Sequence, residues 1–123
     1  MKNILIVEND LGFIFWLGGA LMAADYQLLP ACGVSEASAL TSKTAIAIDL
    51  LIVNPTLPGV SKLIAVLRRS QAKLKVIALG AEGEIKLPGI DAWRRKPGPA
   101  EKSAKREWIN AVRNVFIGHK HAP

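Results

Sequence analysis

One cysteine, two histidines and no long apolar run mark what this chain of 123 residues leaves out. The single cysteine, Cys32, forms no internal disulfide, which suits a reducing compartment. As a lone small residue in an apolar stretch it reads as core filler rather than as a nucleophile. The histidines, His119 and His121, fall in the frayed-looking tail "HKHAP", and two ligands at a terminus do not make a metal centre. No Gly-rich phosphate loop ending in Lys-Ser/Thr is present, and no G-x-G-x-x-G follows a strand-like run, which argues against an NTPase or a dinucleotide enzyme. The apolar stretch from Leu11 to Ala24 is bracketed by Asp10 and Asp25. It is shorter than the roughly 20 residues that cross a bilayer. Nor does it have the flanks of a signal peptide, since Glu8 and Asp10 precede it. The chain is expected to be soluble and cytoplasmic, with no membrane partner.

What is present points to one folded domain. Half the residues are hydrophobic and 21% are charged, so enough apolar surface exists for a core. Charge is uneven: eight basic and seven acidic residues precede Asp91, whereas eight basic and three acidic run from Asp91 to the end. The basic character belongs to the C-terminal quarter, where a solvated helix face and a polyanion-binding patch are the two readings.

Short apolar runs alternate with helical patterns. "KNILIV" reads as a strand buried on both faces, followed by a helix from Leu11 that Asp10 is placed to cap. "YQLLPAC" reads as an edge strand because of Pro30. A helix from Ser35 to about Ala45, a strand from Ile46 to Val53 and a helix from Ser61 to Ala72 follow. "LKVIALG" is the fourth strand and "IDAW" the fifth, and a helix over residues 101–117 closes the domain before Gly118. Such alternation implies a doubly wound α/β sheet with its site at the carboxyl ends of the strands. Residues 1–118 are read as that domain and 119–123 as a tail. The strand ends bring together Glu8, Asn9, Asp10, Asn54, Gly80 and Lys96.

Three segments, "ILIVEND", "DLLIVNPTLPG" and "WRRKP", resemble the receiver domain of two-component response regulators, in the right order and over nearly the whole length. The resemblance implies a flavodoxin-like five-stranded parallel sheet of order 2-1-3-4-5, and a role in phosphorelay signal transduction. It also places the phosphoacceptor aspartate of the family on Asn54, its acidic pair on Glu8 and Asn9, its switch Ser/Thr on Gly80, its switch aromatic on Trp93 and its lysine on Lys96. A cis Lys96–Pro97 peptide is implied as well. Fewer residues than usual separate Gly80 from Lys96, so the fourth helix of the family is expected to shrink to about a turn or vanish.

An acyl phosphate needs a carboxylate, and an amide is far too weak a nucleophile to replace it. Magnesium wants anionic oxygens, which Asn9 and Asn54 do not supply. Pro55 has no N–H, so the usual deamidation of Asn54 to aspartate is blocked. The site is therefore expected to escape phosphorylation, with no metal, no cofactor and no catalytic residue. Glu8 is long enough to pair with Lys96. On the first helix Ile14, Phe15, Gly18, Gly19 and Met22 are expected on the outward face as an interface. Expected partners are a histidine kinase or another signalling protein, and a second copy of the chain in a homodimer. The alternative is a receiver-like domain that binds nucleic acid or another polyanion through its basic C-terminal region.

Overall fold

The computed structural model describes residues 1–98 and 103–118. Five strands, β1 (Lys2–Val7), β2 (Tyr26–Ala31), β3 (Leu50–Val53), β4 (Lys75–Leu79) and β5 (Ala92–Arg94), form one parallel sheet of order β2-β1-β3-β4-β5. Four helices accompany them among the described residues: α1 (Leu11–Ala23), α2 (Val34–Lys43), α3 (Val60–Ser70) and α4 (Ala104–Phe116). The central strands are apolar at nearly every position because both faces of the sheet are covered. Leu5, Val7, Leu51 and Val53 face α2 and α3, where Leu63 and Leu67 pack on them. Ile4, Ile6, Leu50 and Ile52 face α1 and α4, where Leu17, Leu21, Trp108 and Val112 complete a second core. The switch of face with every residue is the two-residue period of a strand.

Side chains set several element boundaries. Asp10 caps α1 by accepting the Phe13 N–H at 3.1 Å. The third strand begins at Leu50 rather than Ile46. Asp49 keeps backbone bonds to Asn3 and Lys75, but its side chain takes the Asn3 N–H and Gln71 takes the Ile48 N–H, so side chains supplement the ladder ahead of the strand. Between β4 and β5 the chain makes turns and no α-helix, with one hydrogen-bonded turn closed by the Glu84 N–H on the Ala81 carbonyl. Asp91 anchors this connection, accepting the Val76 N–H at 2.8 Å and pairing with Arg68 of α3 at 3.2 Å.

Three expectations are corrected here. Ile14 points inward and packs in the core with Leu17 and Trp108. Cys32 is exposed, because β2 ends at Ala31 and leaves it in the following turn. No peptide bond among the described residues is cis, so Lys96–Pro97 is trans, the isomer that is lower in energy by about 0.5–1 kcal/mol in the absence of constraint. The tail assigned to residues 119–123, and the start of the last helix at 101–102, lie outside the described residues.

Candidate functional site

Parallel strands deliver the residue after each of β1, β3 and β4 to one edge of the sheet, and these residues are Glu8, Asn54 and Gly80. Glu8 is the one fully buried charged side chain among the described residues. Burial of a lone carboxylate is costly unless it is paired and hydrogen-bonded, and this one is both. Its Oε1 accepts the Asn54 side-chain amide at 3.0 Å and the Asn9 backbone N–H at 2.8 Å. Its Oε2 has no well-aligned hydrogen bond among the described residues and faces the Lys96 ammonium at 2.6 Å. The Glu8–Lys96 pair expected from the reach of the longer side chain is therefore formed.

Lys96 holds a second carboxylate. Its Nζ lies 3.3 Å from Asp10 Oδ2 and 5.5 Å from the centre of the Phe13 ring, within cation–π range. Asp10 was legible as a helix cap and as one of the strand-end residues, but not as a partner of Lys96. Its other oxygen caps the helix, and pairing with Lys96 has no local sequence signal. Asn54 is pinned from the opposite side, where its Oδ1 accepts the Thr56 N–H at 2.9 Å and the Thr56 hydroxyl at 2.7 Å. The amide is thus oriented with its donor toward Glu8. Thr56 was not foreseen, although a polar residue two positions after an asparagine is the pattern of an Asx-turn.

The charges reinforce one another. Burial pushes the Glu8 carboxyl up, but the close Lys96 ammonium and the hydrogen bonds from Asn54 and Asn9 outweigh it and hold the group below its ordinary range. The Phe13 N–H, then Lys96, hold Asp10 low. Burial works against the Lys96 ammonium, and the two carboxylates outweigh that effect and raise its pKa. All three groups are charged at neutral pH.

Gly80 adopts φ of +133°, and its amide donates to the Arg94 carbonyl at 2.9 Å. It shares a cavity of about 260 Å³ with Asn54, Glu84, Arg95 and Lys96. Asn9 is exposed and enters the network through its backbone. Trp93 is half-buried on β5 and lines a larger groove of about 510 Å³ with Ala81, Arg94 and Trp108, bounded by the helix-less connection. Phe15, Gly18, Gly19 and Met22 lie on α1, away from this site.

No protein-family model matches the sequence, and no curated protein matches it. Solved structures do. A response regulator receiver domain protein from Clostridium thermocellum superposes with a TM-score of 0.74 at 16% identity, covering 96% of each chain. A putative response regulator from Chloroflexus aurantiacus matches with a TM-score of 0.73 at 25% identity, over 94% of this chain and 98% of that one. The fold is that of a receiver domain. A response regulator from Thermotoga maritima, solved in complex with Mg²⁺ and BeF, matches with a TM-score of 0.69 at 21% identity, over 94% of this chain and 99% of that one.

A receiver fold raises the question of magnesium, and the donor set here does not fit it. Magnesium needs open, anionic oxygens in octahedral array. Both Glu8 oxygens and both Asp10 oxygens already face N–H donors or the Lys96 ammonium. The third strand contributes an amide whose oxygen is held by Thr56. Among the described residues no cluster of three or more His, Cys, Asp or Glu side chains is placed to hold a metal ion.

Proposed function

We propose that this chain is a receiver-like protein-interaction module of phosphorelay signalling that accepts no phosphoryl group and catalyses no reaction. The observation that carries this reading is the Asn54 amide at the end of β3, donating to a Glu8 carboxylate that is already neutralised by Lys96. In that arrangement the nucleophile is missing, and the lysine that would meet a phosphoryl group has an internal counter-charge instead. With that chemistry gone, contact surfaces are what the fold offers, and its partners are expected among histidine kinases and other signalling proteins.

The test is treatment with acetyl phosphate and Mg²⁺ followed by intact mass spectrometry, with beryllofluoride binding followed by NMR. No labile adduct and no chemical-shift change at Asn54 or Lys96 are expected. A phosphoryl adduct on any strand-end residue overturns the reading.

A further inference from the structure

Helix α1 carries no charged side chain over its thirteen residues. Phe13, Ile14, Leu17, Ala20 and Leu21 are buried in the chain's own core. The residues left exposed are Leu11, Gly12, Phe15, Gly19, Met22 and Ala23, all of them apolar or glycine. A helix that is apolar on its outer face as well as its inner one is normally covered on both.

The outer face has a shape. At 3.6 residues per turn the six exposed positions fall within an arc of about 120°. Leu11, Met22 and Phe15 occupy one side of the arc and stand 57%, 67% and 78% exposed, forming a ridge. Gly19, Gly12 and Ala23 occupy the other side and form a trough. A methyl group built on Gly19 would meet nothing within 4 Å. With a rise of about 1.5 Å per residue, Leu11 stands level with Gly12, Met22 level with Ala23, and Phe15 between Gly12 and Gly19. A twofold axis running along the helix turns the ridge of one copy into the trough of another at the same height.

We infer that this face of α1 is covered by a second copy of the chain, the two α1 helices running parallel about a twofold axis. A surface whose own ridge fits its own trough is self-complementary, as an isologous interface requires. The absence of charge on the face lets two chains of net charge +6 approach there. A thirteen-residue helix is about 20 Å long, which puts the contact at the small end of specific interfaces and makes the dimer weak and concentration-dependent. Net repulsion between the copies predicts that salt strengthens it. Gly18 is not part of this face, since a methyl group there would press on Leu28 of the same chain at 3.1 Å.

Sedimentation velocity across a concentration series tests the inference on the intact chain. The wild type is expected to shift from monomer toward dimer as concentration rises, and further when salt is added. Gly19→Glu and Phe15→Ser should each weaken association by about tenfold or more while keeping a cooperative thermal unfolding transition. Gly19→Ala tests for general damage and should remain folded. Cysteines placed by Gly12→Cys and Gly19→Cys, each in a Cys32→Ser background, should both form symmetric disulfides, because parallel helices keep like residues together along their length. A wild type that stays monomeric at every concentration overturns the inference, including the case where α1 becomes protected from exchange only on adding a kinase. So does a Gly19→Glu variant that associates like the wild type, or dissociation by salt, as for a polyanion-bridged pair. Disulfide formation by Gly19→Cys alone would mean antiparallel helices and overturn the geometry. None of these readouts depends on phosphorylation, so an acetyl phosphate adduct would sink the functional reading and leave this one standing.

Discussion

The side-chain amide of Asn54 donates to Glu8 Oε1 at 3.0 Å, and this bond makes the two residues mutually dependent. The amide completes the shell of a buried carboxylate, and the carboxylate gives the amide its orientation. An aspartate at position 54 would set two negative oxygens against each other where a donor now meets an acceptor.

Asn54→Asp is therefore expected to destabilise the fold at neutral pH by about 1–3 kcal/mol, the cost of leaving a buried acceptor without its donor. The loss should shrink as pH falls and the new carboxyl, raised by its neighbour, takes up a proton. Urea unfolding of both proteins at pH 7 and near pH 5 measures this. Equal stability at pH 7 would show that the bond is dispensable. The variant should also remain unmodified by acetyl phosphate, because Asn9 and the Lys96-bound Glu8 still leave no metal site.

Lys96→Met removes the ammonium and leaves Glu8 buried with one oxygen facing no cation. Breaking a fully buried pair costs about 3–5 kcal/mol, but Lys96 is 35% exposed, so water screens part of the loss and about 1–3 kcal/mol is expected. Glu8 should respond by titrating higher than in the wild type, since burial then works against fewer favourable partners. Carboxyl-carbon NMR across a pH series reads this directly, and a Glu8 titration left unmoved would contradict the pairing.

The pH dependence of stability follows from the directions of the two shifts. Glu8 is depressed in the fold, so its contribution is complete above its ordinary value of 4.5 and is lost as pH falls through the lower folded value. Lys96 is raised, so its contribution is complete below 10.5 and fades only as pH climbs through the higher folded value. Between these limits this pair contributes no slope. Melting temperatures of the wild type and Glu8→Gln should run parallel through neutral pH and converge only in acid. Convergence already near pH 7 would mean that Glu8 is not held low.

Gly80→Thr would place at position 80 the hydroxyl that the resemblance to receiver domains implies there, without a setting for it. The space beside Gly80 is open, but φ of +133° is a conformation that only glycine adopts freely. A cost of about 1–3 kcal/mol is expected from strain alone. Denaturant midpoints for Gly80→Ala and Gly80→Thr should fall together, since both meet the same backbone penalty. A neutral Gly80→Ala would overturn the argument.

Much of the sheet was legible because β1, β3 and β4 are buried on both sides and spell continuous apolar runs, while Pro30 marks the edge. Glu8 and Lys96 were readable as a pair from their strand-end positions and the reach of glutamate. Asp10 was half readable: its capping role has a local sequence pattern and strand order put it near Lys96, whereas the ion pair itself spans 86 residues and has no pattern. Ile14 was misplaced because α1 is apolar all round, so periodicity could not tell its two faces apart. Burial of Ile14 narrows the outward face to the arc whose middle lies between Phe15 and Gly19. The late start of β3 was hidden for a different reason. The side chains of Asp49 and Gln71 take up the Asn3 and Ile48 N–H groups beside the backbone bonds, and the apolar run from Ile46 gives no hint of that.

The contact between Glu8 and Lys96 also bears on the order in which the molecule assembles. These residues follow strands that are not neighbours in the sheet, since β3 and β4 lie between β1 and β5. The pair therefore forms only once the intervening strands are laid down and the long loop between its members has been closed. An interaction made that late is expected to be missing from the folding transition state and to act on the rate of escape from the native state. Removing it should leave refolding nearly as fast as before and let the protein unfold sooner, so that Lys96 sets how long each molecule stays folded rather than how quickly it gets there.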